Sequence, residues 1–125
     1  LVKRLKSLGC IILGKTHTVE FALGATGLNK HKGTPKNPWD IETHRMPGGS
    51  SSGSAVAVAS GLAAFAIGTD TGGSVRIPAS LNGIVGLKTT KDKWPTDGIF
   101  PLSPTLDTPG PIARSVEDTK FIFDT

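Results

Sequence analysis

The sequence has no tyrosine, one cysteine and one methionine, and only 6% of its residues are aromatic. Any core must therefore be built from Ala, Val, Ile and Leu. Such small side chains bury little area each, so the backbones that carry them have to approach closely, which favours a tight α/β interior. A lone cysteine, Cys10, excludes an internal disulfide. Its place in the apolar run Cys10-Ile11-Ile12-Leu13 reads as a small buried hydrophobe, and a reducing, cytoplasmic setting fits. Long hydrophobic runs are also missing. The longest, residues 55–67, contains Ser60 and Gly61 and is too short to span a bilayer. The opening residues lack the charged-then-apolar order of a signal peptide.

Like charges are not clustered either. The net charge is +4, but Lys3, Arg4 and Lys6, then Lys30 and Lys32, then Lys91 and Lys93 are dispersed along the chain. A solvated surface is implied, with no nucleic-acid tail. His17, His31 and His44 stand too far apart for a local metal pair, and none sits in a ligand pattern with cysteine or carboxylate. No metal and no organic cofactor are expected.

What is present is glycine, sixteen of them, with nine prolines in 125 residues, a length that suits one domain. Leu1, Leu5 and Leu8 follow helical spacing over residues 1–8, and Gly9 leads into a short apolar strand at residues 10–13. Residues 24–47 lose all periodicity and predict a long ordered excursion of the functional kind. A serine-rich cap then opens a buried helix along Ala55–Ala63. Residues 64–69 read as a central strand, 75–81 as a short helix and 84–87 as another buried strand. Residues 91–109 read as loop, and Ser115 caps a closing helix with Glu117 and Asp118 in its first turn. The chain opens within one helix and stops within another, so it reads as excised from something longer.

Two segments invite chemistry. Gly9-Cys10-Ile11-Ile12-Leu13-Gly14-Lys15-Thr16 matches the phosphate-loop pattern letter for letter, but its four intervening residues are the strand itself and cannot also be the loop. Nucleotide binding is set aside. The second segment is Gly48-Gly49-Ser50-Ser51-Ser52-Gly53-Ser54, followed by Thr69-Asp70-Thr71-Gly72-Gly73-Ser74-Val75-Arg76. A flexible linker would be the plain account of the first part, but it runs straight into a buried helix. The later part has the form of a nucleophile turn: two glycines bend the backbone and bare its N–H groups, and a serine follows at a helix mouth. Asp70 and Arg76 straddle the turn and read as an ion pair bracing it. With no histidine nearby in sequence, a Ser-Lys arrangement with a second serine as proton carrier suits better than Ser-His-Asp, and Ser50 or a neighbour would serve.

These residues, from Pro47 through Ser74-Val75-Arg76-Ile77-Pro78 to Gly83-Ile84-Val85-Gly86-Leu87-Lys88, resemble the signature of the amidase signature family. The flanks Leu13-Gly14-Lys15-Thr16, Glu20-Phe21-Ala22 and Asp107-Thr108-Pro109-Gly110-Pro111 do so as well. The resemblance implies an α/β fold with a mixed sheet covered by helices, of which residues 1–125 would be a partial domain. It implies a Ser–cis-Ser–Lys triad acting on linear C–N amide bonds, with Ser74 as nucleophile and Ser50 as the cis-serine relay. Thr71, Gly72, Gly73 and Ser74 would supply the oxyanion hole, and Asp70, Arg76 and Ser51 the structural support. Ser52 stands where many members carry glycine, a mild hint about substrate.

The family's lysine lies in a Val-Lys-Asp-like strand that would precede Leu1, so the resemblance implies that the base is absent from this chain. Lys15 and Lys88 match other positions. The expected partner is a small amide substrate, without nucleic acid or membrane, and a homodimeric parent is compatible with the family. The alternatives are a protein like the ammonia-releasing component of a glutamyl-tRNA amidotransferase, supplying ammonia to a partner, and an inactive truncated remnant. The chain alone is expected to be inactive.

Overall fold

A computed structural model describes residues 1–125. Its elements in chain order are α1 (Val2–Ser7), a 3-10 turn (Glu20–Ala22), α2 (Ser52–Ala59), β1 (Phe65–Asp70), α3 (Arg76–Leu81), β2 (Val85–Gly86), β3 (Thr108–Ala113) and α4 (Val116–Asp124). The three strands form one sheet in the order β1-β3-β2, with both pairings antiparallel. Helices pack against this sheet, so the α/β character read from the sequence holds.

Helix α2 begins at Ser52 and is buried along most of its first turn. It stops where Gly61 takes up φ 72°, a left-handed conformation that glycine reaches without a Cβ clash, and the Gly61 N–H returns to the Val58 carbonyl. Helix α4 starts as its sequence dictates: the Ser115 hydroxyl accepts from the Asp118 N–H at 3.0 Å. Val58 of α2, Val75 before α3 and Ile112 of β3 form the fully buried centre, with Ala66 and Ile84 packed against it. This core is aliphatic and small, as the shortage of rings requires.

Three expectations are corrected. Residues 10–13 form no strand: no segment of the chain pairs with them, Ile11 is 86% exposed and Cys10 is only partly buried. An apolar run becomes a strand only when a ladder partner takes its N–H and C=O groups. Residues 65–70 are not central, because β1 pairs on one side only. The second buried strand shrinks to the two half-buried residues of β2.

The central strand is instead β3, inside a stretch whose first part reads as loop because Pro109 and Pro111 interrupt it. Both prolines turn their carbonyls away from β1. The Leu87 N–H donates to the Pro111 carbonyl at 3.0 Å, and the Thr89 hydroxyl donates to that of Pro109 at 2.9 Å. In a strand, a residue's N–H and C=O point to the same side, so the missing proline N–H groups leave the β1 ladder intact.

Candidate active site

β1 ends at Asp70 and the chain turns through Thr71-Gly72-Gly73-Ser74 into α3. The buried Asp70 carboxylate shapes that turn. It accepts from the N–H groups of Gly73 at 2.8 Å and Val75 at 3.1 Å, and it takes Nε and Nη2 of Arg76 at 3.0 Å each. Burial alone would raise its pKa. The Arg76 guanidinium and the amides of Val75 and Gly73 outweigh burial and hold the carboxyl below the usual range, while Arg76 is pushed up in return. Gly73 sits at φ 128°, a conformation strained for any residue with a Cβ, and packs beneath the Ile77 side chain.

A second carboxylate fixes the other end of the turn. The buried Asp107 accepts from the Thr71 hydroxyl, and its other oxygen takes the N–H groups of Leu102 at 2.8 Å and Ser103 at 2.9 Å. Burial again opposes ionisation. The Thr71 hydroxyl, the two amides and nearby Lys91 prevail, and this carboxyl too is held low. Between these anchors the N–H groups of Thr71, Gly72 and Ser74 have no partner in the protein, whereas that of Gly73 is engaged by Asp70.

The Gly48–Ser51 segment lies against the same turn. A Cβ on Gly48 would sit 2.8 Å from the Cα of Pro78, so the segment hugs α3. The Gly49–Ser50 peptide is cis. The Ser50 carbonyl accepts from the Val19 N–H at 3.0 Å, and the Ser51 N–H donates to the Ser74 carbonyl at 3.2 Å. The Ser51 hydroxyl accepts from the Thr69 N–H at 3.2 Å, tying the segment to β1 as well. Ser50 is 1% exposed, and its hydroxyl has no hydrogen-bond partner; the Ser52 hydroxyl is likewise buried and unpaired. The structure thus brings Ser50, Ser51, Asp70, Arg76 and the 71–74 turn together.

Neither candidate lysine joins them. Lys15 is exposed, Lys88 donates to the Thr89 carbonyl, and neither bonds to Ser50 or Ser74. The His17 ring pairs with the Gly33 carbonyl and His31 lies 3.4 Å from Glu20, and neither ring bonds to Ser50 or Ser74. No group of three or more His, Cys, Asp or Glu side chains is placed to hold a metal, and no helix is long and apolar enough to cross a membrane.

Three positioning residues carried no sequence signal of that role. Asp107 is one acid in a loop. The buried Asn82 donates to the Pro47 and Pro78 carbonyls, both at 2.7 Å, and so stitches the Gly48 segment to α3. Asn37 donates to the Leu81 carbonyl at 2.8 Å and anchors the long excursion. Asn37-Pro38 reads as a turn or extended point and Asn82-Gly83 has the pattern of a turn, but neither pattern points to these long-range bonds.

The Amidase family model matches residues 1–125. A 2-amino-5-chloromuconic acid deaminase of Comamonas testosteroni is 57% identical over 123 residues, which is 98% of this chain and 27% of that protein. The GatA-type component of the glutamyl-tRNA(Gln) amidotransferase of Symbiobacterium thermophilum is 50% identical, with 98% of this chain and 25% of that one covered. Among solved structures, native peptide amidase from Stenotrophomonas maltophilia matches with a TM-score of 0.91 at 47% identity, over 98% of this chain and 26% of its own. The chain spans about a quarter of the length of these relatives. Matched from its first residue to its last, it belongs to the amidase family.

Proposed function

We propose that this chain carries the serine half of an amide hydrolase's catalytic centre. The observation that supports this most is the hydrogen bond from Ser51 to the Ser74 carbonyl, which sets a buried, unpaired Ser50 hydroxyl against a turn with three free amides. In this reading the Ser74 Oγ attacks the amide carbon. Its proton passes through Ser50 to a lysine base from the Val-Lys-Asp-like strand elsewhere in the parent. The carbonyl oxygen becomes an oxyanion held by the N–H groups of Thr71, Gly72 and Ser74, each such donor contributing about 10²–10³ in rate. Gly73, counted with them from sequence, gives its amide to Asp70 and acts as a brace. The C–N bond then breaks as nitrogen takes the relayed proton, and water releases the acid from the acyl-enzyme. The 125 residues alone, without that lysine, would hydrolyse no amide.

The test is a fluorophosphonate on the full-length protein, with the adduct located by mass spectrometry. Modification of the peptide that holds Ser74 is expected; modification confined to another serine would reject the assignment. Ser50→Ala is expected to cut hydrolysis by about 10²–10⁴, the range of a positioned proton carrier. Because its hydroxyl is buried without a partner, the same variant should be as stable as the parent protein or slightly more so. A thermal midpoint lowered in step with activity would make Ser50 merely structural.

A second reading has one observation in its favour, the 50% identity to a component of glutamyl-tRNA(Gln) amidotransferase. There the released ammonia would pass to a partner. Glutamine hydrolysis that rises when the other amidotransferase components are added would favour it.

A further inference from the structure

Helix α3 follows the Ser74 turn, and its far end leaves carbonyls without a helical partner. Two buried asparagine amides take up two of them, and each reaches one neighbouring segment with its second N–H. Nδ2 of Asn37 donates to the Leu81 carbonyl at 2.8 Å and to the Met46 carbonyl at 3.3 Å. Nδ2 of Asn82 donates to the Pro78 and Pro47 carbonyls, both at 2.7 Å. Met46 and Pro47 are consecutive and lead directly into Gly48-Gly49-Ser50. Trp39 joins the two amides: its backbone N–H donates to Asn37 Oδ1 at 3.0 Å, and its Nε1 donates to the Asn82 carbonyl at 2.8 Å.

These bonds make a clasp between the approach to Ser50 and the helix that follows Ser74. At the other end of the same segment, the Ser51 N–H holds the Ser74 carbonyl. The stretch that carries Ser50 is therefore fastened to the Ser74 side of the site both before and after the serine. Each asparagine uses one N–H on each side, so neither segment can slide past the other without breaking both bonds of an amide. Asn82 Oδ1, by contrast, is buried with no partner. An unpaired buried acceptor is costly, so what this side chain supplies is its pair of donors.

We infer that Asn37 and Asn82 are positioning residues that set Ser50 in register with Ser74, so that the proton leaving Ser74 meets the relay hydroxyl. This rests on the reading of Ser74 as nucleophile and Ser50 as relay. In the full-length protein, labelling of Ser74 by an alkyl fluorophosphonate should slow about tenfold in Asn37→Ala and about a hundredfold in Asn82→Ala, the loss expected of a misplaced reacting group. Made on Ser50→Ala, the same substitutions should alter its already slower rate by less than about twofold, because no relay is left to displace. Asn37→Ala leaves the bonds of Asn82 to Pro47 and Pro78 in place, so it should fold even where Asn82→Ala does not. An equal loss with and without the Ser50 hydroxyl, or no loss in either background, would overturn the positioning role and leave the nucleophile standing. Labelling that Ser74→Ala does not abolish, or that Ser50→Ala does not slow, would reject the underlying reading, and the role of the clasp with it.

Discussion

Ser74→Ala in the full-length protein is expected to lower amide hydrolysis by roughly 10⁴–10⁶ while moving the thermal midpoint very little. The rate loss follows from removing the atom proposed to form the acyl bond. The preserved stability follows from the structure. The Ser74 hydroxyl accepts and donates no hydrogen bond, its residue is only half-buried, and its structural contact is made by the carbonyl that receives the Ser51 N–H. Alanine keeps that carbonyl. Steady-state kinetics beside a thermal melt separates the outcomes: hydrolysis within tenfold of the unaltered protein would dismiss Ser74 as nucleophile. A large fall in the midpoint would instead make the activity loss a matter of folding.

Asp70→Asn should have the largest effect on stability, about 2–4 kcal/mol. Arg76 is half exposed, so the ion pair by itself contributes modestly. Most of the loss comes from the amides of Gly73 and Val75, which bond to a fully buried carboxylate and would face a neutral amide. Activity should fall too, because the turn that aims the free N–H groups is shaped by these bonds.

The pH dependence has a definite sign. The folded protein holds Asp70 and Asp107 below the ordinary carboxylate range, so it binds their protons less readily than the unfolded chain does. Their stabilisation is complete above about pH 4 and is lost as pH falls through the lowered folded values. Denaturant midpoints from pH 7 down to pH 2 should show a shallower acid decline for Asp70→Asn than for the unaltered protein. Parallel declines would mean that Asp70 is not a linked group.

Much of the site was legible because its chemistry demands particular small residues in order. The bend before Ser74 needs glycine and the Gly48–Ser51 segment needs close approach to α3, so the motif itself is a record of geometry. Ser115 marked its helix for a similar local reason. The features hidden from sequence depend on contacts between distant residues. Asp107 became a site residue only when the chain brought it to Thr71, 36 positions away. Pro109 and Pro111 hid the central strand, since the side to which each carbonyl points cannot be read from composition. The segment at residues 10–13 misled in the opposite way: its apolar run satisfies the pattern of a strand, but no segment of this chain pairs with it. Even within the turn, the four amides look alike in sequence, and only the folded Asp70 carboxylate distinguishes that of Gly73 from the rest.

The prolines of β3 also limit how the sheet can grow. Beyond the two residues covered by β2, that side of β3 offers no amide at Pro109, and the carbonyl there is already capped by Thr89. An incoming strand would find nothing to pair with. The outer side of β1 is shielded too: opposite the prolines, the Ile67 carbonyl accepts from the Ser54 hydroxyl at 2.9 Å and the Thr69 N–H donates to the Ser51 hydroxyl at 3.2 Å. The sheet is thereby guarded on both flanks, by proline beside β2 and by serine hydroxyls along β1, against unwanted pairing between partly folded copies.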